Sequence, residues 1–459
     1  MKKTISLKTL LSSVILGLAI FIGTISIFYN VDNILNNNRG VLSSFILNGL
    51  IIFLSLLRPS KSPYRLVDVL NVFMFIFMFA APLVQYMRNS FPWWSTYLIT
   101  DEVVIITNLV ILIFLLFFNL FYSTNTENKI ENKNNYIKDI NLVLNIFWLL
   151  TIVSGLFIIS RVGITDLFAR STSSLNIDNQ SIGLIVNYSL RSIPVIYVGL
   201  SLLYYQKRKK FYKVPKLIVG LVIMILVNFP TGLARFWIGS VYIGLIAIIL
   251  KKVTKPNFFK VLLLFGLLIV FPSINSFRNL DFAGGLSRGL NLAPLSDYFL
   301  AGDFDAFSML ARSIIITKQV GFSWGHQLLG SVFFFIPRAI WPTKPVGSGY
   351  TVAILFGWDF VNVSMPLIGE GYINFGIFGV IALGIFMGIV LKKMDFHYFY
   401  RVKNEGKKIY FIEIVFPFTL GFLFFIMRGD LLSSWAYYVG FMIPVIILFL
   451  INRFVKVSK

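Results

Sequence analysis

Residues 102–122 read EVVIITNLVILIFLLFFNLFY, a run with a single charge, at its first position. At about 1.5 Å per residue, a helix of that length crosses the roughly 30 Å hydrocarbon core of a bilayer. Eleven more apolar runs of spanning character lie near 10–28, 41–57, 66–86, 141–160, 182–205, 217–232, 233–250, 261–275, 366–391, 410–427 and 435–451. The expected fold class is therefore an all-α polytopic membrane protein of about 12 transmembrane helices. Composition agrees. Of the 459 residues 57% are hydrophobic, 13% are charged and 48 are Phe, and the mean hydropathy is +0.81. A soluble chain has no way to keep that much apolar surface out of water. Without an internal repeat or a soluble segment, residues 1–459 are expected to form one integral membrane domain. The first span follows Lys2, Lys3 and Lys8 and resembles a signal peptide; lacking a small-residue cleavage site, it is expected to remain as an anchor.

Cations set the expected orientation. With the N-terminus inside, the cytoplasmic loops carry 28 of the 41 Lys and Arg, the opposite side carries 12, and Arg191 lies within a span. Lys and Arg accumulate in short cytoplasmic loops, so both termini are expected to be cytoplasmic. The formal charge of +22 then reflects topology and not nucleic-acid binding. No cysteine is present, which excludes disulfides, thiol catalysis and Cys-ligated metal. Gly-rich nucleotide cradles and HExxH zinc motifs are absent as well, so neither metal nor cofactor is expected.

Lys and Arg divide unequally across the membrane. Of 25 Lys, 23 fall on the inner side, with only Lys318 and Lys344 outside; of 16 Arg, only five are inside. Arg tolerates lipid and protein interfaces better than Lys, and that alone accounts for Arg39, Arg88, Arg161 and Arg170. A planar fork that grips phosphate or carboxylate bidentately is the sharper reading for the rest. Counted from the nearest inner Lys, Arg191 and Arg235 stand about 24 Å up, Arg278 about 27 Å and Arg428 about 30 Å. Four charges at one depth in lipid are prohibitive unless they face a shared, outward-open, water-filled cavity. With few deep carboxylates beside them, such a cavity calls for an anionic guest. Asn228–Arg235, NFPTGLAR, breaks the seventh and eighth spans with Pro230 and Gly232, as helices lining a cavity do, or as a tight outer turn would.

Residues 276–365 form the one large loop, extracytoplasmic and partly helical, between the ninth and tenth spans. Phe299, Phe304, Phe307, Leu310, Ala311 and Ile314 recur at helical spacing over 296–318, which predicts an amphipathic helix lying on the membrane–water boundary. Asp303-x-Asp305 resembles a metal and sugar-nucleotide motif but is read as an exposed face of that helix. Leu328–Ile340 is too short to span and is expected to dip in or lie flat. The apolar rhythm breaks most over Gly321–Gly376, which holds His326, Arg338, Trp341, Lys344 and Glu370. On a continuous tenth helix Glu370 would stand about 33 Å up, at the cavity mouth.

These residues suit a lipid diphosphate whose tail lies in the bilayer and whose phosphates meet the arginines. Glu370 is the first candidate for a general base toward a sugar hydroxyl, against the alternative that it braces the helix start. His326 is a second candidate, against a structural role beside Trp324. Asp430, in Arg428–Asp430, is expected to orient Arg428 by ion pairing, and Lys344 to hold phosphate as a point charge. Trp341 and Tyr372 complete the set expected to contact diphosphate or sugar.

FFIPRAIWPTKP, then SMPLIGEGYINFG, then RGD after the next span, with PTGLAR and NSFRN upstream, are similar to segments of the bacterial oligosaccharide repeat-unit polymerases of O-antigen and capsular polysaccharide. The resemblance covers the span layout, with its motifs concentrated in Asn228–Asp430. It implies a fold like the lipid-dependent membrane glycosyltransferases and a metal-free glycosyl transfer at the outer face of the cytoplasmic membrane. Undecaprenyl-diphosphate-linked repeat units would be joined, the growing glycan moving to the incoming unit with release of undecaprenyl diphosphate. Arg235, Arg278, Arg338 and Arg428 would then hold diphosphate or sugar carboxylates. A chain-length regulator is the protein partner that the resemblance allows. Two rivals share the layout: a lipid-linked oligosaccharide flippase, which should show two related halves, and a glycan ligase using the same donor.

Overall fold

The computed structural model describes residues 12–13, 15–17, 38–58, 62, 64–93, 98–124, 135–169, 174–175, 180–250, 257–270, 295–404 and 406–454. Among these residues there is no strand, only an isolated antiparallel bridge between Tyr136 and Tyr410. Helix starts follow local chemistry. Asn38 accepts the N–H of Gly40 at 2.8 Å and opens α1, Arg39–Leu57. The helix α2, Leu66–Met87, borrows its cap from a distant residue: Asp395 accepts the N–H of Leu66 at 2.7 Å. Thr100 caps α3, Asp101–Ser123, where Asp101 and Glu102 sit favourably at the positive end of the helix dipole. Asp139 caps α4, Ile140–Val162. There follow α5 (Gln180–Arg208), α6 (Val214–Val227), α7 (Arg235–Leu250) and α8 (Phe258–Ile269). After residues 271–294 come α9 (Ala306–Val320), α10 (His326–Val332), α11 (Ser348–Leu355), α12 (Leu367–Asn404), α13 (Phe411–Arg428) and α14 (Leu431–Phe454).

Eight of these, α1–α5 and α12–α14, are long and apolar enough to cross a bilayer, and α6, α7 and α8 are shorter apolar helices. This is a polytopic membrane protein. The eleven helices stand where the second to twelfth spans were expected; the first, 10–28, lies largely outside the described residues.

Burial sorts the helices. The most apolar window of α2 is 94% buried and that of α13 is 83%, against 39% for α1, α4, α12 and α14. A helix apolar on all sides belongs in the interior, whereas one half covered faces lipid. Two cores meet on α13. Phe416, Leu420 and Phe424 pack toward α2, while Phe418, Phe422 and Phe425 pack toward α5, α7 and α14. Parallel packing of α12 on α3 depends on small residues, since a Cβ on Gly388 would lie 2.8 Å from the carbonyl oxygen of Phe118 and one on Gly384 3.0 Å from that of Phe114. In a membrane, where lipid competes equally for apolar side chains, such close backbone approach is what drives association.

Two sequence expectations change here. The helix predicted over 296–318 is α9, and its apolar face is covered by protein instead of facing a membrane surface. Phe307, Leu310, Ala311 and Ile314 are buried in the core with α1 and α2, and Phe307 packs on Phe45 at 5.5 Å. Leu328–Ile340, expected to be too short to span, is helical only through the end of α10, with Leu329, Val332, Phe333, Phe335 and Ile340 exposed. Finally, α12 is not a straight span. Its backbone breaks at Phe375 and Gly376, where Gly376 takes φ 57°, ψ −139°, a combination essentially reserved for glycine. Gly371 and Gly379, some 12 Å apart in a straight helix, lie so close that a Cβ on Gly379 has no room against the Gly371 carbonyl. Residues 367–374 thus double back on the long helix that follows, which also runs past the expected end of the span to Asn404.

Candidate functional site

The end of the bundle bearing residues 295–366, the loop end, gathers four of the singled-out residues, Arg235, Arg428, Glu370 and Asp430, in two adjoining clusters. The first is built on the turn Gly302–Phe304 and on Asp305. Arg235, the first residue of α7, donates from both terminal guanidinium nitrogens to Asp303, at 3.0 and 3.1 Å. Arg428, the last residue of α13, donates to the carbonyls of Asp303 (3.0 Å) and Gly302 (3.2 Å) and to Asp305 (3.1 Å), with its guanidinium over the ring of Phe236. Asp305 also accepts from Ser364 Oγ at 2.6 Å and from the Trp93 indole at 2.8 Å. Arg312 of α9 lies behind, bonded to Ser308 and to the Trp93 carbonyl. Burial holds its guanidinium down to about 10, with the Asp305 charge opposing. The reading of Asp303 and Asp305 as an exposed helix face is corrected: these two carboxylates pair with Arg235 and Arg428 from across the chain, which offsets part of the cost of burying those charges.

The two ion pairs differ in burial. The side chains of Arg235 and Asp303 are 22% and 17% exposed, those of Arg428 and Asp305 9% and 1%. Arg235 therefore has a fork that a ligand can reach, and it stands at one end of a cavity of about 570 Å³. That volume lies within the usual range for small-molecule sites. The cavity runs between α7 and α8 over a floor of Gly421 and Phe424 from α13.

The second cluster adjoins the first across Gly429. Glu370 is 1% exposed; it accepts from Ser348 Oγ at 2.6 Å and from the backbone N–H of Leu431 at 3.1 Å. It thereby ties the doubled-back segment of α12 to the starts of α11 and α14. Asp430 accepts the N–H groups of Gly349 (2.9 Å) and Leu432 (3.0 Å), and burial raises its carboxyl above the ordinary range. Gly347 leaves room for it, since a Cβ there would collide with the Asp430 carboxylate. Asp430 thus caps α14 and binds α11; it does not pair with Arg428, whose partner is Asp305. Glu370 occupies a sealed brace, not a cavity mouth.

The remaining expected residues are dispersed. Arg191 is fully buried, donating to Asn187 at 3.0 Å and to the carbonyl of Val227 at the end of α6. Asn228 donates to the Arg191 carbonyl and accepts from the Trp237 indole, so Arg191 holds the α6–α7 break together. Lys344 donates to the carbonyls of Phe334 and Ile336, each at 2.9 Å, and Arg338 to that of Lys344 at 2.7 Å. Burial, with Arg338 nearby, lowers the Lys344 ammonium. His326 is exposed, its ring 6.0 Å from that of Trp341, and Tyr372 packs edge-on against Phe322. Arg278 lies outside the described residues. The four deep arginines are therefore not shown around one cavity: of the three described, Arg191 and Arg428 are committed to protein partners and Arg235 lines the slot. Among the described residues no group of acidic or His side chains is suited to a metal.

No family model matches the chain, and no solved structure does. The O-antigen polymerases of Salmonella typhimurium (strain LT2) and Salmonella typhi are each 34% identical to it over 128 residues, 24% of this chain and 30% of theirs. Over that stretch the chain is related to the O-antigen polymerases. It spans about 30% of the length of these curated relatives.

Sequence reading missed Asp303, Asp305 and Ser348 as site-building residues. The signal for the first two was present: Asp-x-Asp leads directly into an apolar helical run, where an unpaired carboxylate would be as costly as the arginines it meets. Ser348 carried none.

Proposed function

We propose that this protein is a glycosyltransferase that polymerises undecaprenyl-diphosphate-linked oligosaccharide repeat units, of an O-antigen or capsular type, at the outer face of the bacterial cytoplasmic membrane. One observation carries the reading: two arginines from distant helices converge on one loop turn, and the more accessible of them, Arg235, stands where an apolar slot meets the loop end. A diphosphate on a hydrocarbon tail is the ligand with both characters. The named relatives support polymerisation over export. In this reading the chain has twelve spans with both termini inside, forms a single membrane domain, and has its large loop over 276–365 outside.

In the reaction, a hydroxyl of the incoming unit attacks the anomeric carbon of the growing glycan. The bond from that carbon to the diphosphate oxygen breaks, the electron pair leaves with undecaprenyl diphosphate, and the hydroxyl proton passes to a base. Arg235 holds the departing diphosphate and offsets its growing charge, exchanging Asp303 for phosphate. His326, exposed beside Trp341, is the candidate base that substrate reaches directly, while Glu370 and Asp430 position the loop end around it.

The test uses purified protein, the lipid-linked repeat unit accumulated by the producing strain when it lacks this protein, and no nucleotide. A product ladder from the wild type that Arg235→Ala abolishes is expected. Folded wild type that makes no ladder but moves the intact lipid across liposome membranes overturns the reading in favour of a flippase.

A further inference from the structure

We propose that the slot between α7 and α8 is the seat of the isoprenoid tail of a polyprenyl diphosphate, with the phosphate end at Arg235 and Thr231. The identity of the lipid rests on the function proposed above; the seat itself is argued from the packing. α7 and α8 are neighbours in sequence yet barely touch, and each is held instead by the central helices, α7 on α13 and α8 on α2. The gap left between them is about 570 Å³. It extends along α7 from Arg235 to Ile246, a rise of about 16 Å, close to the hydrocarbon depth of one leaflet.

The walls select the occupant. Phe236, Ile243, Leu263 and Phe424 line the slot, and its charged group, Arg235, is at the loop end. Phe265 of the lining is itself half exposed, and beyond it the flanks stay apolar and exposed, with Ile249 on α7 and Val261 and Ile269 on α8. The slot therefore opens sideways onto hydrocarbon, and its guest is a chain that enters from the bilayer, not a solute from water. A phosphate-bearing chain complements the cation at the end. One slot with one reachable guanidinium fork suits a single-tailed diphosphate; a phospholipid brings two tails and a singly charged diester.

Two glycines keep the slot open. Gly239 on α7 and Gly266 on α8 both line it, and a Cβ on either meets no described atom within 4 Å. A side chain at either position therefore starts from open space at the slot wall. A methyl-branched chain requires such clearance, and helix–helix packing would have closed it.

The experiment measures binding of undecaprenyl diphosphate to the full chain in detergent by native mass spectrometry, with phosphatidylglycerol as competitor. Gly239→Phe and Gly266→Phe are expected to lower binding at least tenfold without lowering the melting temperature, and phosphatidylglycerol is expected not to compete. Unchanged binding in either folded variant, or equal binding of phosphatidylglycerol, overturns the proposal. Should one variant fail to fold, the other wall supplies the test. In addition, a benzophenone-tailed isoprenoid diphosphate should label α7 or α8 in the unaltered protein, and labelling confined to other helices refutes the seat. The ladder assay separates the two readings. If the wild type binds in the slot but makes no polymer, the enzymatic reading fails alone. If the filled variants polymerise normally, the slot fails alone.

Discussion

At the scale of single residues, burial decides what a charge is for. Arg428 and Arg235 look equivalent in sequence, yet one is sealed and the other is not. Arg428→Ala strands the nearly inaccessible Asp305 carboxylate, and breaking a buried pair from one side costs about 3–5 kcal/mol. We expect that variant to accumulate poorly and to melt well below the wild type in a detergent thermal-shift assay. Arg235→Ala removes a partly exposed pair worth at most about 1 kcal/mol. Its melting temperature should stay near the wild type while lipid-diphosphate binding falls. Similar destabilisation by both substitutions would refute the distinction. Glu370→Gln tests the brace in the same way. Its carboxylate accepts from both Ser348 and Leu431, and a carboxamide can no longer offer an acceptor to each without turning an N–H toward a donor. A loss of about 1–3 kcal/mol follows, read as lowered melting in Glu370→Gln and a smaller further drop on adding Ser348→Ala. Full stability with lost turnover would instead make Glu370 the base.

At the scale of elements, the break in α12 shows where hydropathy stops being informative. Residues 366–391 read as one span because lipid and protein interior are equally apolar, so the pattern does not record a chain doubling back on itself. The clue was local: Asn374-Phe375-Gly376 ends with the one residue type able to take φ 57°, ψ −139°. By contrast, the α6–α7 break was legible from Pro230 and Gly232, since they interrupt short helices visibly. Gly376→Ala should strain the backbone by about 1–3 kcal/mol and press on the Phe322 ring, which lies 2.9 Å from where the Cβ would sit. Because 323–328 bonds to the end of the doubled-back segment through Ser323 and Trp324, the strain should spread there. Hydrogen exchange should rise over both 323–328 and 367–374; a rise confined to residue 376 and its neighbours would show that the two segments are not coupled.

At the scale of the whole molecule, the positions of the apolar helices were legible because hydropathy is statistical and local, whereas the pairing of Arg235 with Asp303 joins residues 68 positions apart and needs the fold. The bias of Lys and Arg along the sequence yields a sharp expectation for orientation. Lysines cluster at the end opposite the loops, where Lys207 meets Glu413 at 3.1 Å and Lys260 donates to the Leu56 carbonyl at 2.6 Å. Among the described lysines, only Lys318 and Lys344 stand at the loop end. Since Lys and Arg are retained on the cytoplasmic side during insertion, the loop end should face outward. The chain has no cysteine, so an introduced one reports without background. Trp324, 75% exposed at the loop end, and Lys407, exposed at the other, are suitable positions. In intact cells or spheroplasts a membrane-impermeant maleimide should label Trp324→Cys, and should reach Lys407→Cys only after the membrane is opened. Labelling of Lys407→Cys alone would invert the topology. It would also place Arg235 and the slot on the cytoplasmic leaflet, where a polymerase of exported glycan has no substrate.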